Sequence, residues 1–236
     1  GLEHQRIRRI VSPAFTPKSA DRLRPFMNTV INELLDPICE IGETEFVSNI
    51  CEPYPIPIIC ELLGAPKEDW ELFSRLAEDI FKIFNGNLAE DAPVIMAAQE
   101  EMDAYMRSLI AKRKIHPQED LLTDLIRAEE DGDRLSTDEL LSMANALLLA
   151  GTDTTRNQLA CAVSLFAEHP VELQKIRDNS SLAPQAVEET MRYLGAVRGT
   201  GRYASEDIEY RGILFPKDTL IFPSFVAANH DSKKFD

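Results

Sequence analysis

The most unusual stretch of the sequence places an acid and an alcohol side by side inside an apolar helical pattern. Residues 140–150 are almost wholly apolar, residues 151–155 read GTDTT, and the apolar pattern resumes at Leu159. Gly151 alone costs a helix about 1 kcal/mol relative to alanine. Threonine hydroxyls can bond back to the carbonyl group four residues earlier and bend a helix, and the ionisable Asp153 requires a partner or a purpose in apolar surroundings. The stretch predicts a deformed helix facing a ligand cavity, because a helix that emerged into solvent would not become apolar again.

Glutamate and arginine residues in a later short helix have the spacing of neighbours on one face. Glu189 and Arg192 are three residues apart in AVEETMRYL, and Glu188 and Arg192, four apart, satisfy the same rule. As an isolated feature, such a pair is usually a surface ion pair worth about 0.2–0.5 kcal/mol. The pattern therefore leaves open which glutamate pairs with Arg192 and whether the pair has a function.

Cationic side chains that suit an anion occur at two places. His4 and Arg8 are four residues apart in EHQRIRR and point the same way from a helix, and two cationic donors on one face suit a carboxylate or a phosphate. Arg202 follows two glycines at the start of a predicted strand, where its guanidinium could fork onto a carboxylate. Solvated basic side chains are the alternative at both places.

Composition and motif content exclude several other function classes. The net charge of −15 argues against a nucleic-acid surface, and no run of about 18 apolar residues predicts a membrane-spanning segment. No Walker, serine-hydrolase, zinc-protease or dinucleotide-binding motif is present. The four cysteines lack metal-ligand spacing and are interpreted as small buried apolar residues, whose reduced state fits a cytoplasmic protein. They are Cys39, Cys51, Cys60 and Cys161.

The elements that must position these residues are mostly helices with a period near 3.6 residues. Ser136 as the cap and Glu139 three residues later predict the start of a long central helix that reaches residue 168. Alternation around Gly212 and around Lys217–Asp218 predicts β-hairpins. We therefore expect a mainly α fold with a small β-sheet region near the C-terminus, in a single domain of residues 1–236. The other predicted helices span residues 2–11, 18–40, 68–84, 94–114, 120–130 (ending at Asp131 and Gly132), 171–178 and 184–194, with a short helix closed by Gly64 and Pro66.

Four of these segments, taken in order, resemble the cytochrome P-450 superfamily of haem-thiolate monooxygenases, and look closest to its soluble bacterial members. EHQRIRRIVSPAFTP is similar to the family's C-helix and the turn after it, and LLLAGTDTT matches its distal I-helix signature. EETMR matches the K-helix motif Glu-x-x-Arg, and GRYASEDIEYRGILFPKDT resembles the segment after it. The resemblance covers essentially all residues and implies a partial cytochrome P-450 fold, from the C-helix through the K-helix and the following β region.

The resemblance also explains why a buried helix would carry weak helix formers at its centre. The family's I-helix crosses the distal face of the haem, and Ala150 and Gly151 would border an oxygen-binding groove there. Asp153 and Thr154 would be the acid–alcohol pair that delivers protons to dioxygen at the haem, which is general acid chemistry. Low helix propensity is tolerated where it serves a site.

The remaining motifs receive their roles from the same resemblance. His4, Arg8 and Arg202 would bind the haem propionates, because buried anions require cationic, hydrogen-bonding partners. Glu189 and Arg192 would be structural and would not touch substrate. A further set of residues would line the substrate pocket, namely Ala146, Leu149, Val197 and Thr200.

One defining feature of the family is not found in this sequence. The iron of these enzymes is held by a cysteine thiolate in a Phe-x-x-Gly-containing loop that follows the β region, and none of the four cysteines has that context. The resemblance therefore implies an internal fragment that lacks the N-terminal region and the haem-ligand loop, and the fragment is expected to be inactive by itself.

For the parent protein, the resemblance implies a monooxygenase that inserts one atom of dioxygen into a small hydrophobic organic substrate. Its cofactor would be haem (iron protoporphyrin IX), and a ferredoxin-type or similar donor would supply electrons. The alternative is a haem-free helical protein that binds small molecules on the same scaffold. A downstream cysteine loop would distinguish the two hypotheses.

Overall fold

The computed structural model of the chain describes residues 1–130 and 132–235, which form two compact units. The first unit is Gly1–Arg156 and the second is Asn157–Asp236. The single domain that the sequence predicts stays a prediction.

Helices dominate the described residues, as the sequence predicts. In the first unit they are α1 (Leu2–Val11), α2 (Pro17–Ile41), α3 (Pro55–Leu63), α4 (Trp70–Phe81), α5 (Leu88–Ile115) and α6 (Leu121–Arg127). The long helix α7 (Thr137–Glu168) follows, and then α8 (Pro170–Asp178), α9 (Ala183–Tyr193) and α10 (Phe225–Asn229). The strands are β1 (Glu129–Glu130), β2 (Asp133–Arg134), β3 (Arg202–Tyr203), β4 (Ile208–Tyr210), β5 (Ile213–Phe215) and β6 (Leu220–Ile221).

Two helix boundaries differ from the prediction for identifiable reasons. The predicted helix 68–84 is α4 flanked by single 3₁₀ turns at Lys67–Asp69 and Lys82–Phe84. Helix α5 begins six residues before the predicted start, and Pro93 lies inside it. Pro93 is the sixth residue of α5 and removes one backbone hydrogen bond of the helix, while Glu90 and Asp91 in the first turn are placed where the helix dipole favours acidic side chains. The proline was therefore the wrong place to begin the helix.

The strands confirm one predicted hairpin and correct the other. Strands β4 and β5 pair around Arg211 and Gly212, both of which have positive φ, as a tight hairpin turn requires. The hairpin predicted around Lys217–Asp218 is wrong, because β6 pairs with β3 and not with β5. The Asp218 amide donates to the Ala204 carbonyl oxygen at 2.8 Å, which directs the chain towards β3.

The end of α6 is also shorter than predicted. The helix stops at Arg127, and β1 then pairs antiparallel with β2, so residues 128–130 are not helical. The part of the prediction that falls on Asp131 lies outside the described residues.

An apolar core joins the helices of the first unit. Most of its members come from α3, α4, α5, α6 and the first half of α7, with Ile10 and Val11 added from α1, and they are fully or almost fully buried. Each such side chain contributes about 1.5–3 kcal/mol by leaving water. The largest of them include Leu63, Phe73, Leu76, Met102, Met106, Ile110, Leu122, Leu125 and Leu148. This core fixes the first half of α7, which leads directly to the acid–alcohol pair at Asp153 and Thr154.

Candidate functional site

The start of α7 is fixed by the reciprocal cap that the sequence predicts. The Ser136 amide donates to Glu139 Oε2 at 2.7 Å, and the Glu139 amide donates to Ser136 Oγ at 3.2 Å. Two backbone donors that the helix itself cannot satisfy are thereby paired. The cap determines where the helix begins and therefore which of its residues share a face.

The threonine hydroxyls of α7 bond back along the helix. Thr152 Oγ1 donates to the Leu148 carbonyl oxygen at 2.7 Å, and Thr154 Oγ1 donates to the Ala150 carbonyl oxygen at 2.6 Å. The helix nevertheless continues from Thr137 to Glu168 without interruption, so the predicted deformation does not break the α-helical pattern. Thr152 is buried and Thr154 is exposed, so the same bond occurs on two different sides of α7.

Asp153 has the local partner that its position in the sequence suggests. Arg156 donates through Nε to Asp153 Oδ1 at 2.9 Å, and its terminal nitrogen lies 2.7 Å from the same oxygen. About a third of each side chain is exposed. The carboxylate is therefore charge-compensated at the helix surface, beside the Thr154 hydroxyl in sequence.

The missing side chain of Gly151 makes room for another helix of the same unit. A Cβ atom built on Gly151 would lie 2.9 Å from Ile59 Cγ1 of α3 and closer still to Cδ1. Real Cβ atoms are not found so near to other carbons. The close approach that glycine permits here is therefore made by Ile59, and the role of Gly151 at an oxygen groove stays a prediction.

One face of α7 in the first unit is exposed and carries only short side chains. Ala146, Ala150 and Thr154 are each exposed and four residues apart, so they stack along one side of the helix. Leu149 beside them is half-buried and packs against the apolar core. This face, which we name the α7 stripe (Ala146, Ala150 and Thr154), leaves room for a flat group to lie against the helix.

The two cations predicted on α1 are exposed. His4 and Arg8 lie on α1 four residues apart, and neither forms an ion pair with another residue of the described chain. Arg8 and Ser12 are connected only through the backbone, because Ser12 Oγ donates to the Arg8 carbonyl oxygen at 2.5 Å. Both side chains are thus available to an anion.

Arg6, on the same helix, forms ion pairs with several carboxylates, and its role was not predicted from the sequence. Its guanidinium pairs with Glu3 at 2.7 Å, with Asp133 of β2 at 3.1 Å, and with Glu139 of the α7 cap. Hydrogen bonding to Glu3 and Asp133 holds the pKa of Arg6 above its ordinary value. Arg6 therefore anchors α1 to the start of α7. Its position two residues from both His4 and Arg8 was the available signal, because that spacing points it the other way.

In the second unit, Arg192 forms its ion pair with Glu189 and not with Glu188. Arg192 donates to both carboxylate oxygens of Glu189, at 2.8 and 2.6 Å, and this bidentate pair lowers the pKa of the Glu189 carboxyl. Its remaining terminal nitrogen donates to the Asn229 carbonyl oxygen at 2.6 Å. The guanidinium also lies 4.7 Å from the ring centre of Phe235. The pair therefore connects α9 to α10 and the segment after it.

Arg202 begins β3, and within the described residues its guanidinium binds its immediate neighbours in sequence. One terminal nitrogen donates to Thr200 Oγ1 at 2.7 Å and to the Gly201 carbonyl oxygen at 2.8 Å. Within the described part of the second unit it has no carboxylate partner. Val197, four residues before Gly201 in sequence, is exposed, and Thr200 is half-buried. The guanidinium and the loop before it are thus open to a ligand.

Two of the four cysteines are the buried apolar residues that the sequence predicts, and the prediction is wrong for Cys39. Cys51 and Cys60 are fully buried, whereas Cys161 is half-buried and Cys39 is exposed. Burial raises the pKa of the Cys60 thiol to about 12 and raises that of Cys51 as well. A thiol held protonated is a poor metal ligand. Across residues 1–130 and 132–235, no cluster of three or more metal-ligating side chains occurs.

A helix that crosses a lipid bilayer must be both long and predominantly apolar. None of the described helices combines the length and the apolar character needed to cross a membrane.

Comparison with known proteins is consistent across sequence and structure. A family model described as Cytochrome P450 matches residues 65–236. Cytochrome P450 CYP107DY1 of Priestia megaterium is 37% identical over 99% of this chain, and 6-deoxyerythronolide B hydroxylase of Saccharopolyspora erythraea is 35% identical over 98% of it. The ligand-free structure of cytochrome P450 TbtJ1 superimposes with a TM-score of 0.90 at 32% identity, over 99% of this chain.

The chain spans only part of each of these proteins. It covers 56% and 57% of the two relatives and 62% of the solved chain. The family match, the helical architecture and the ordered motifs on α1, α7, α9 and β3 agree with one another. The chain belongs to the cytochrome P450 family.

Proposed function

We propose that the protein containing this chain is a haem-dependent monooxygenase that inserts one atom of dioxygen into a hydrophobic organic substrate. The observation that supports this most is the acid–alcohol pair at an exposed, short-sided face of α7, where Thr154 is exposed and Asp153 is held by Arg156. An acid and an alcohol that are adjacent in sequence can transfer protons to a bound ligand, which is the role we propose for this pair. The relatives whose names include a hydroxylase activity support the same reaction class.

The residues present fit haem in two respects. The α7 stripe has no long side chain that would keep a flat, apolar group away from the helix backbone. His4 and Arg8 on one face of α1, and Arg202 at the start of β3, are cations without a carboxylate partner in the described residues. We assign these three basic side chains to the haem propionates. Buried anions such as these require cationic, hydrogen-bonding partners. When bound, haem supplies the activation of dioxygen, with electrons from a ferredoxin-type or similar donor.

The protein's own contribution is to hold and move protons. The proton of Thr154 Oγ1 points to the Ala150 carbonyl oxygen, so the hydroxyl must rotate about its Cβ–Oγ bond to donate it to a ligand. Its lone pairs then accept a replacement proton from water, or from Asp153 after that carboxylate has itself taken up a proton from water. Asp153 can take part after its carboxylate turns away from Arg156, a surface pair that costs about 1 kcal/mol or less to open. Both residues therefore have a resting arrangement and a route out of it.

The apolar character of the substrate follows from the residues assigned to its pocket. Ala146, Leu149 and Val197 offer only hydrocarbon surface, and Thr200 adds one hydroxyl group, whose oxygen accepts from Arg202. Side chains of this kind select a substrate by shape and apolar area more than by hydrogen bonding. The proposal includes a cytoplasmic location, dioxygen as co-substrate and the electron donor named above.

The proposal is tested by Thr154→Ala in the full-length, haem-loaded protein, with Thr152→Ala as the matched control. Both threonines make the same bond to a carbonyl four residues earlier, but only Thr154 is on the α7 stripe. Thr154→Ala should increase the dioxygen consumed per molecule of product, whereas Thr154→Ser and Thr152→Ala should preserve that ratio.

Two results would remove the proposal. Tight coupling of dioxygen consumption to product in Thr154→Ala would contradict the role of the hydroxyl. A purified protein that takes up no haem would instead support the haem-free binding protein on the same scaffold.

A further inference from the structure

A glutamine that belongs to none of the recognised motifs binds the start of the loop after α9, on both sides of Gly195. Gln158, four residues after Thr154 in the sequence, is half-buried in the second unit. Its Oε1 accepts the Ala196 amide at 2.9 Å, and its Nε2 lies 3.5 Å from the Leu194 carbonyl oxygen. Because a backbone amide can only donate, the first bond fixes which end of the side chain is the oxygen. The second contact is longer and weaker.

The turn that Gln158 spans is so tight that it has no room for a side chain at Gly195. Leu194 ends α9, where its amide donates to the Thr190 carbonyl oxygen at 2.9 Å. At the next residue, Gly195, a Cβ atom would lie 2.5 Å from the Met191 carbonyl oxygen. Gly195 therefore allows the chain to turn back on α9, and Gln158 then binds the two residues on either side of it.

The far side of the same loop is fixed by a second set of bonds. The Phe225 amide donates to the Arg198 carbonyl oxygen at 2.9 Å, and the Thr200 amide donates to the Pro223 carbonyl oxygen at 3.3 Å. Gly199 between them forms an isolated bridge with Ser224. Only Val197 stands between the two anchored stretches, and 52% of its side chain is exposed.

We propose that Gln158 is a positioning residue that sets substrate specificity by fixing where Val197 is presented. With Ala196 anchored on one side and Arg198 on the other, the backbone at residue 197 has little freedom, so its apolar side chain has one defined place. Loss of the Gln158 bond frees one anchor and lets Val197 move. This inference rests on the proposed function in one respect, namely that Val197 faces the substrate.

The variants separate the hydrogen bond from the size of the side chain. Gln158→Met keeps the length and helix propensity and removes the strong acceptor. Gln158→Glu keeps an oxygen for the Ala196 amide and loses only the weak contact to Leu194. Gln174→Met is the matched control, because Gln174 donates to Asp178 at the exposed surface of α8 in the same unit.

The first readout is amide hydrogen exchange in the full-length protein as purified. In Gln158→Met the Ala196 amide should exchange roughly five- to tenfold faster, the factor expected for one lost hydrogen bond. Gln158→Glu and Gln174→Met should exchange as the wild type does. Unchanged exchange at Ala196 in Gln158→Met would overturn the proposal, and so would equally fast exchange in Gln158→Glu. If Gln158→Met does not fold, Gln158→Ala replaces it in the same comparison.

The second readout is selectivity between two apolar probes of different shape, lauric acid and testosterone, measured as the ratio of their dissociation constants. Gln158→Met should change this ratio, and Gln158→Glu should restore it. An unchanged ratio together with faster exchange would show that the anchor exists but does not set specificity, which also overturns the proposal. If the wild type binds neither haem nor probe while the exchange result holds, the proposed function fails and the anchoring of Val197 stands.

Discussion

The side chain of Ile59 on α3 occupies the space that a methyl group on Gly151 of α7 would need. Gly151→Ala should therefore lower the free energy of unfolding by about 1 kcal/mol, as overpacking costs about 1–3 kcal/mol and the better helix propensity of alanine returns about 1 kcal/mol. In an Ile59→Ala background the obstacle is gone, and the same change should stabilise the protein. Denaturant unfolding of the four proteins in this double-mutant cycle measures the reversal. Stabilisation by Gly151→Ala in the wild type would show that Ile59 is not the obstacle.

The ion pair of Glu189 with Arg192 gives α9 a defined response to acid. The pKa of Glu189 is lowered in the folded state from an ordinary value of 4.5, because Arg192 donates two hydrogen bonds to the carboxylate. Its contribution is therefore complete above pH 4.5 and is lost as pH falls through the lower, folded value.

Glu189→Gln should consequently lose stability relative to the wild type at neutral pH, and the difference should shrink on acidification. The measurement is the midpoint of urea unfolding from pH about 6 to about 3. Glu188→Gln is the control, because Arg192 forms its ion pair with Glu189 and not with Glu188. A difference that stays constant across this range would mean that the pair does not lower the pKa of Glu189.

The cysteines should react with iodoacetamide in the order of their exposure. Cys39 is exposed and should be labelled first in the native protein, with the half-buried Cys161 slower. Cys51 and Cys60 are buried with raised pKa values, so the reactive thiolate is scarce and shielded. They should react only on unfolding, and peptide mapping by mass spectrometry identifies each site. Rapid native labelling of Cys60 would contradict the buried core around α3.

Arg6 should matter more to stability than other surface arginines. Arg6→Gln removes the contacts that α1 makes with Asp133 and Glu139, so we expect a lower unfolding midpoint at low salt. About 1 M salt shortens the screening length to about 3 Å and should reduce the difference. Arg24→Gln is the control, because Arg24 forms its ion pair with Asp21 on its own helix. Equal effects of the two substitutions would mean that Arg6 is an ordinary surface charge.

Features that depend on residues close together in sequence were predicted from sequence. The Ser136–Glu139 cap, the back-bonding of Thr154 and the hairpin at Gly212 each involve residues at most four apart or a single turn. Local propensity and spacing determine such features, and for that reason they could be read directly. The family was predicted from the four motifs taken together and in their order along the chain.

Features that join distant residues were not accessible in the same way. Arg6 and Glu139 are 133 residues apart, and Gln158 and Ala196 are 38 apart. Only the tertiary fold brings such residues together, and nothing in the spacing of either pair announces the contact. The same holds for Gly151, whose obstacle Ile59 belongs to another helix. The pairing of β6 with β3 was missed because a turn fixes where a strand reverses but not which neighbour it finds.

The short side chains of the α7 stripe have a consequence for the entropy of ligand binding. Ala146 and Ala150 have no rotamers to lose when a group lies on them. The rotamer of Thr154 is already set by its bond to the Ala150 carbonyl oxygen. A flat ligand that covers this face therefore orders almost nothing that is not ordered beforehand, and little of its binding free energy is spent on immobilising the protein.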